Sequence, residues 1–141
     1  MSRAALFAVL GLGLFVGCNG PKSSPEGTVK SFYSTIESQE WMELSTMIDP
    51  ESLQKSGGPS RAAAFYYSVY QDIRDIDLDI QEAIITRPDE SAAVKFKCTA
   101  TFRALGEMPH KNDCSDTLSL RWHDGKWYIM VPGTEALRPK I

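Results

Sequence analysis

The chain is poor in the groups that metal and nucleophilic chemistry need. Its 141 residues include three cysteines and two histidines. The cluster HKNDC, His110 to Cys114, has no second Cys/His pair at ligand spacing, which argues against a zinc site. Nor is there a glycine-rich phosphate cradle or a Ser–His–Asp arrangement. The acidic stretch DIRDIDLD fails as a calcium loop. Counted from Asp75, the positions that require Gly and Glu hold Ile80 and Thr86. There is no basic excess either, with 15 Lys and Arg against 18 Asp and Glu and a formal charge of −3. Without clustered cations to neutralise phosphates, nucleic acid is excluded as a partner. Long apolar runs are also missing. Ala4 to Val16 (AALFAVLGLGLFV) is uncharged, but as a helix it would rise only about 20 Å, short of a hydrocarbon core of about 30 Å. No metal and no cofactor is expected.

What that run does have is the layout of an export signal: a positive start at Arg3, an apolar segment and a small residue, Gly17. A buried helix is the other reading, and the run lacks the polar face a surface-packed helix would show. LFVGC, Leu14 to Cys18, resembles the lipobox of bacterial lipoproteins, with Val16 and Gly17 in pattern and Phe15 where leucine is usual. The resemblance implies a signal peptide over residues 1–17 and a mature chain that begins at a lipidated Cys18. It would carry two or three acyl chains, enough to hold a protein stably on a bilayer. Asn19, where the inner-membrane retention signal of enteric bacteria is Asp, implies the outer membrane, facing the periplasm. Residues 18–24 are then the lipidated cysteine and a short tether, NGPKSS, that reaches at most about 20 Å.

Beyond the tether the apolar period is first helical. Ser24–Pro25 reads as a helix start, followed by Val29, Phe32, Tyr33 and Ile36 on one stripe. A second segment, Trp41 to Ile48, gathers Trp41, Leu44, Met47 and Ile48, and Pro50 is expected to end it. KSGGPS, Lys55 to Ser60, is a break with Ser60 as N-cap. Arg61 to Arg74 is the third helix, with Ala62, Phe65, Val69 and Ile73 on its inner face and Tyr66 and Tyr70 beside them.

The period then becomes two, over Ile76–Ile85, Ala93–Phe102, TLSLRW and KWYIMV. Asp124–Gly125 is a two-residue hairpin that sets Trp122 against Trp127, Leu120 against Ile129 and Leu118 against Val131. The acids Asp77 and Asp79 could lie directly opposite Lys95 and Lys97 if the first turn centred on Arg87. That would place Ile84 and Ile85 in the turn. Burying one Ile is worth about 1.5–3 kcal/mol and an exposed ion pair about 0.2–1 kcal/mol. The turn is therefore expected at Pro88–Glu90, with the charges only diagonal. Helices before an antiparallel sheet with one apolar face define an α+β protein.

SPEGTVKSFYSTIESQEWMELSTMIDPES, a further helix and a meander ending in DGKWYIMV together resemble the nuclear transport factor 2-like fold, as carried by small bacterial lipoproteins. The resemblance covers residues 25–132, leaving 133–141 as a tail. It implies a sheet curled around the first helix into a cone. Relatives use such a cone for isomerase or dehydratase chemistry, ligand binding or assembly, and the fold does not choose among them.

Two acids share parity with the apolar faces: Glu82 with Ile80 and Ile84, and Asp116 with Cys114 and Leu118. A buried carboxyl in such a cone could act as a general acid or base, and Tyr66 and Tyr70, one turn apart, could orient a ligand. Both acids lie near strand ends, where parity lapses at bulges, so the reading taken is a non-catalytic, membrane-anchored domain for a small apolar ligand or a protein partner. The alternative is an isomerase or hydratase using Glu82 or Asp116. If Cys18 is lipidated, Cys98 and Cys114 remain as a pair, and a hairpin centred near Gly106 would set them opposite for a disulfide. Two buried free thiols are the other reading.

Overall fold

Ser24 opens the first helix, α1 (Pro25–Glu37), its hydroxyl accepting the Gly27 N–H at 3.0 Å. The computed structural model describes residues 24–131. The apolar N-terminal run, Cys18 and the tail from residue 132 lie outside the described residues, and the expectations placed on them lie there too. Val29, Phe32, Tyr33 and Ile36 of α1 are all completely or almost completely buried. The helix closes in a Schellman turn, with Glu40 N–H on Thr35 O and Gln39 N–H on Ile36 O. Gln39 takes the left-handed position of that turn at φ 59°, where glycine is usual.

The three helices after α1 differ from expectation. α2 is Trp41–Thr46, after which Ile48 forms a parallel bridge with Ile129. Pro50 does not end structure there; it starts α3 (Pro50–Lys55). Asp49 is the N-cap, accepting from Ser52 N–H, and a proline costs nothing at a first helical position whose N–H has no partner. α4 runs Pro59–Tyr70 behind Gly58 as N-cap rather than Ser60, and it stops before Ile73, which pairs with Phe102 in the sheet. Its inner face is also rotated from the one expected. Ala62, Tyr66 and Tyr70 are buried at i, i+4, i+8, Phe65 only partly so, and Val69 is exposed. Tyr66 and Tyr70 stack with ring centroids 5.9 Å apart. Two stacked phenol rings cover more core than Val69 could, so they take the inner face.

The strands β1 (Ile73–Arg87), β2 (Ser91–Phe102), β3 (His110–His123) and β4 (Lys126–Ile129) form one antiparallel meander in the order 1-2-3-4. Asp124 and Gly125 both have positive φ, as a type I′ turn requires, and Trp122 and Trp127 face each other with centroids 5.2 Å apart. Leu120 pairs with Ile129. Val131 lies past the end of the ladder, yet is buried.

The β1–β2 turn falls at Pro88–Glu90 as expected, but not for the expected reason, since Ile84 and Ile85 are both exposed. Nor are the charges all diagonal: Asp79 pairs directly with Lys97, while Asp77 lies opposite Thr99. Register shifts between Ile85 and Arg87 and between Ile80 and Glu82 each take up an extra residue of β1. Together they slide the acidic stripe onto the lysine without moving the turn. α1 packs against β1, β2 and β4, and the core lies between that helix and the inner sheet face.

Candidate functional site

The inner face brings four aromatic rings together. Tyr33 of α1 lies against Phe96 of β2, centroids 5.2 Å apart, and edge-on to Phe32 at 5.4 Å. Phe32 meets Tyr66 of α4 at 5.9 Å. All four are at most 1 % exposed, so side chains fill the middle of the fold. The Tyr33 hydroxyl is buried without a hydrogen-bond partner among the described residues. Burial pushes its pKa far above the usual phenol range, and the charge of Asp116 and then Tyr66 add to that. Burial likewise raises Tyr66.

Of the two candidate acids, only Asp116 keeps the place its parity implied. It pairs with Phe96 across β2 and β3 and is half-buried, with Oδ1 accepting the Thr117 N–H at 2.8 Å. Glu82 is on the other side. The bulge between Ile80 and Glu82 breaks the alternation, so Ala83 takes the inner position opposite Val94, and Glu82 stands exposed opposite Lys95. Parity counted from Ile80 fails because a bulged residue consumes one step of the pleat. Tyr66 and Tyr70, considered as ligand-orienting groups, are core residues.

Cys98 and Cys114 form a disulfide with their Cα atoms 4.8 Å apart, directly opposite in a ladder that turns about Gly106. Among the described residues no three His, Cys, Asp or Glu side chains are grouped to hold a metal ion.

The described clefts lie on the outside. One, of about 490 Å³, runs along the outer sheet face past Asp77, Asp79, Lys97, Thr99 and Asp113. A smaller one of about 240 Å³ sits between α1, α2 and β4, beside Ser31, Glu43, Met47 and Lys126. The largest, of about 700 Å³, opens at the C-terminal end of α1 and is walled by Gln39, Tyr67, Arg74, Arg103 and Leu105. None of these three is lined by Glu82, Asp116, Tyr66 or Tyr70. Sequence reasoning missed the largest because its walls come from three separate segments, around Gln39, Tyr67 to Arg74 and Thr101 to Pro109. No local signal marked it, because the left-handed turn at Gln39 shows only in the structure.

No protein-family model matches the sequence, and none of the curated proteins matches it. Solved structures do match by shape. A ketosteroid isomerase-like protein from Erwinia carotovora atroseptica superposes with a TM-score of 0.61 at 17 % identity, over 79 % of this chain and 92 % of that one. A SEC-C motif-containing protein from Rhodopseudomonas palustris gives 0.57 at 18 % identity, covering 77 % and 76 %. A proposed dehydratase of the nuclear transport factor 2-like family from Streptomyces avermitilis gives 0.54 at 12 %, covering 72 % and 86 %. The chain therefore has the nuclear transport factor 2-like cone fold: helices closing a curved antiparallel sheet. At these identities the likeness defines architecture and leaves function to the site.

Proposed function

We propose that this protein is a membrane-tethered, non-catalytic binding or assembly module, held at the cell envelope through acylated Cys18 and facing the periplasm from the outer membrane. The filled interior supports it. Phe32, Tyr33, Tyr66 and Phe96 occupy the space between α1 and the sheet, so the inward acid Asp116 has packed rings before it. The open clefts, by contrast, are on the outer surfaces, where a partner or ligand has direct access.

One observation favours a second reading, an isomerase or hydratase using Asp116. The Tyr33 hydroxyl is a buried donor without an acceptor, and the charge of Asp116 acts on it. A ligand oxygen there would accept from the Tyr33 hydroxyl and supply its missing partner. The ketosteroid isomerase-like protein and the proposed dehydratase share this architecture. Glu82, exposed beyond the bulge, has no part in that reading.

Labelled palmitate in a lipoprotein-processing bacterium tests the anchor. Wild-type protein should take up the label and Cys18→Ser should take up none. Unlabelled, freely soluble wild-type protein, cleaved before another residue, would end the proposal.

A further inference from the structure

The cleft at the C-terminal end of α1 has two guanidinium groups in its wall and large apolar side chains around them. Arg74 donates from Nη1 to the carbonyls of Gln71 at 2.7 Å and Ile73 at 3.2 Å, which locks its stem over the end of α4. Its Nε and Nη2 meet no acceptor among the described residues. Arg103 is fixed through its backbone, N–H on Asp72 O at 2.8 Å, while its exposed side chain makes no ion pair or hydrogen bond with a described residue. Tyr67 and Leu105 line the same space, Tyr67 about half exposed and Leu105 fully so. Gln39 completes the wall. Its backbone is left-handed at φ 59°, and its side chain spans from the α1–α2 turn to the end of α4, Nε2 donating to Gln71 O at 3.2 Å.

We propose that this cleft binds a small monocarboxylate with an apolar body. The guanidinium fork matches a carboxylate in plane and spacing, and Leu105 and Tyr67 offer apolar surface beside it. Asp72 lines the cleft as well, so two positive charges and one negative leave a balance of one positive. That balance suits a single negative charge better than a phosphate dianion. The volume of about 700 Å³ is that of a site for a ligand well above the size of acetate. The cleft lies at the opposite end of α1 from Pro25, about 20 Å along the helix. The inference names a ligand for the binding module proposed above but does not depend on acylation: loss of palmitate labelling leaves it standing, and loss of ligand binding leaves the anchor standing.

Calorimetric titration of the full chain in mild detergent with octanoate, octanol and acetate tests it. Octanoate should bind saturably with a Kd on the order of 0.1–1 mM, and octanol and acetate at least tenfold more weakly. Arg103→Ala and Arg74→Ala should each weaken octanoate at least tenfold, with an unchanged circular dichroism spectrum. If Arg74→Ala disturbs the end of α4, Arg103→Ala alone decides, because its side chain holds nothing in place. Octanol binding as tightly as octanoate, octanoate binding unaltered in Arg103→Ala, or no heat up to millimolar octanoate would each overturn the proposal.

Discussion

The two long hairpins of the sheet behave differently. β2 and β3 stay in one register over every pair from Ser91↔Arg121 to Phe102↔His110. β1 and β2 change register three times over a similar length. β2 is central, with Ala92, Val94, Phe96, Cys98 and Ala100 buried in strict alternation, and slipping it by one residue would turn all five outward. β1 is an edge strand with only Ile73 and Ile76 fully buried. Less is lost when its pleat is interrupted, so bulges collect there. The same tolerance decided the fate of a candidate acid: one extra residue at Gln81 put Glu82 outside.

Single-residue deletions would sharpen this contrast most. Deleting Lys97 from β2 reverses the faces of one side of that strand and should abolish the cooperative urea transition. Deleting Gln81 only removes a bulge and should cost less than about 1 kcal/mol. Equal losses would mean that β1 is as constrained as β2. Side-chain truncation should separate the strands next. Phe96→Ala in the core should cost about 3–5 kcal/mol, and Ile84→Ala on exposed β1 no more than about 0.5, read from the same transition. An Ile84 loss above 1.5 kcal/mol would show that this edge is covered.

Replacing Cys98 and Cys114 together by serine releases a loop of 16 residues and should cost about 3 kcal/mol in the chain-entropy model. Because the bond ties β2 to β3 and not to β1, β2 and β3 amides should lose more protection from hydrogen exchange than β1 amides. Uniform loss across the three strands would contradict that. The smallest effect concerns the interior. Tyr33→Phe removes a hydroxyl buried without a partner and should leave stability unchanged or raise it by up to about 1 kcal/mol. A loss above 1 kcal/mol would reveal a bound water or ligand oxygen between Tyr33 and Asp116, and would favour the catalytic reading.

Much of the fold was legible residue by residue. The stripe of α1, the Ser24 cap, the Asp124–Gly125 turn with its tryptophan pair and the alternation of β2 are local patterns that tertiary packing reinforces. The errors share a cause. Pro50 could end one helix or start another, and the bridge of Ile48 to Ile129 together with the Asp49 cap made it a start. The inner face of α4 could be Phe65 and Val69 or Tyr66 and Tyr70, since both pairs are apolar at helical spacing. The candidate site was harder still. Asp116 kept its parity because β3 stays in register with β2, while Glu82 lost its own to a bulge with no marker in the sequence.

By itself, the sequence determined the order and type of the main elements, because helix caps, turn residues and apolar period act within a few residues of one another. It also determined that Cys98 and Cys114 could meet, since one turn about Gly106 sets their register. Only the tertiary structure decided which side of β1 faces the core beyond Ile80, that four aromatic rings close the interior, and that Arg74 and Arg103 share one cleft with Gln39. Those outcomes depend on the sum of burial and strain over segments distant along the chain, and no local pattern carries that sum.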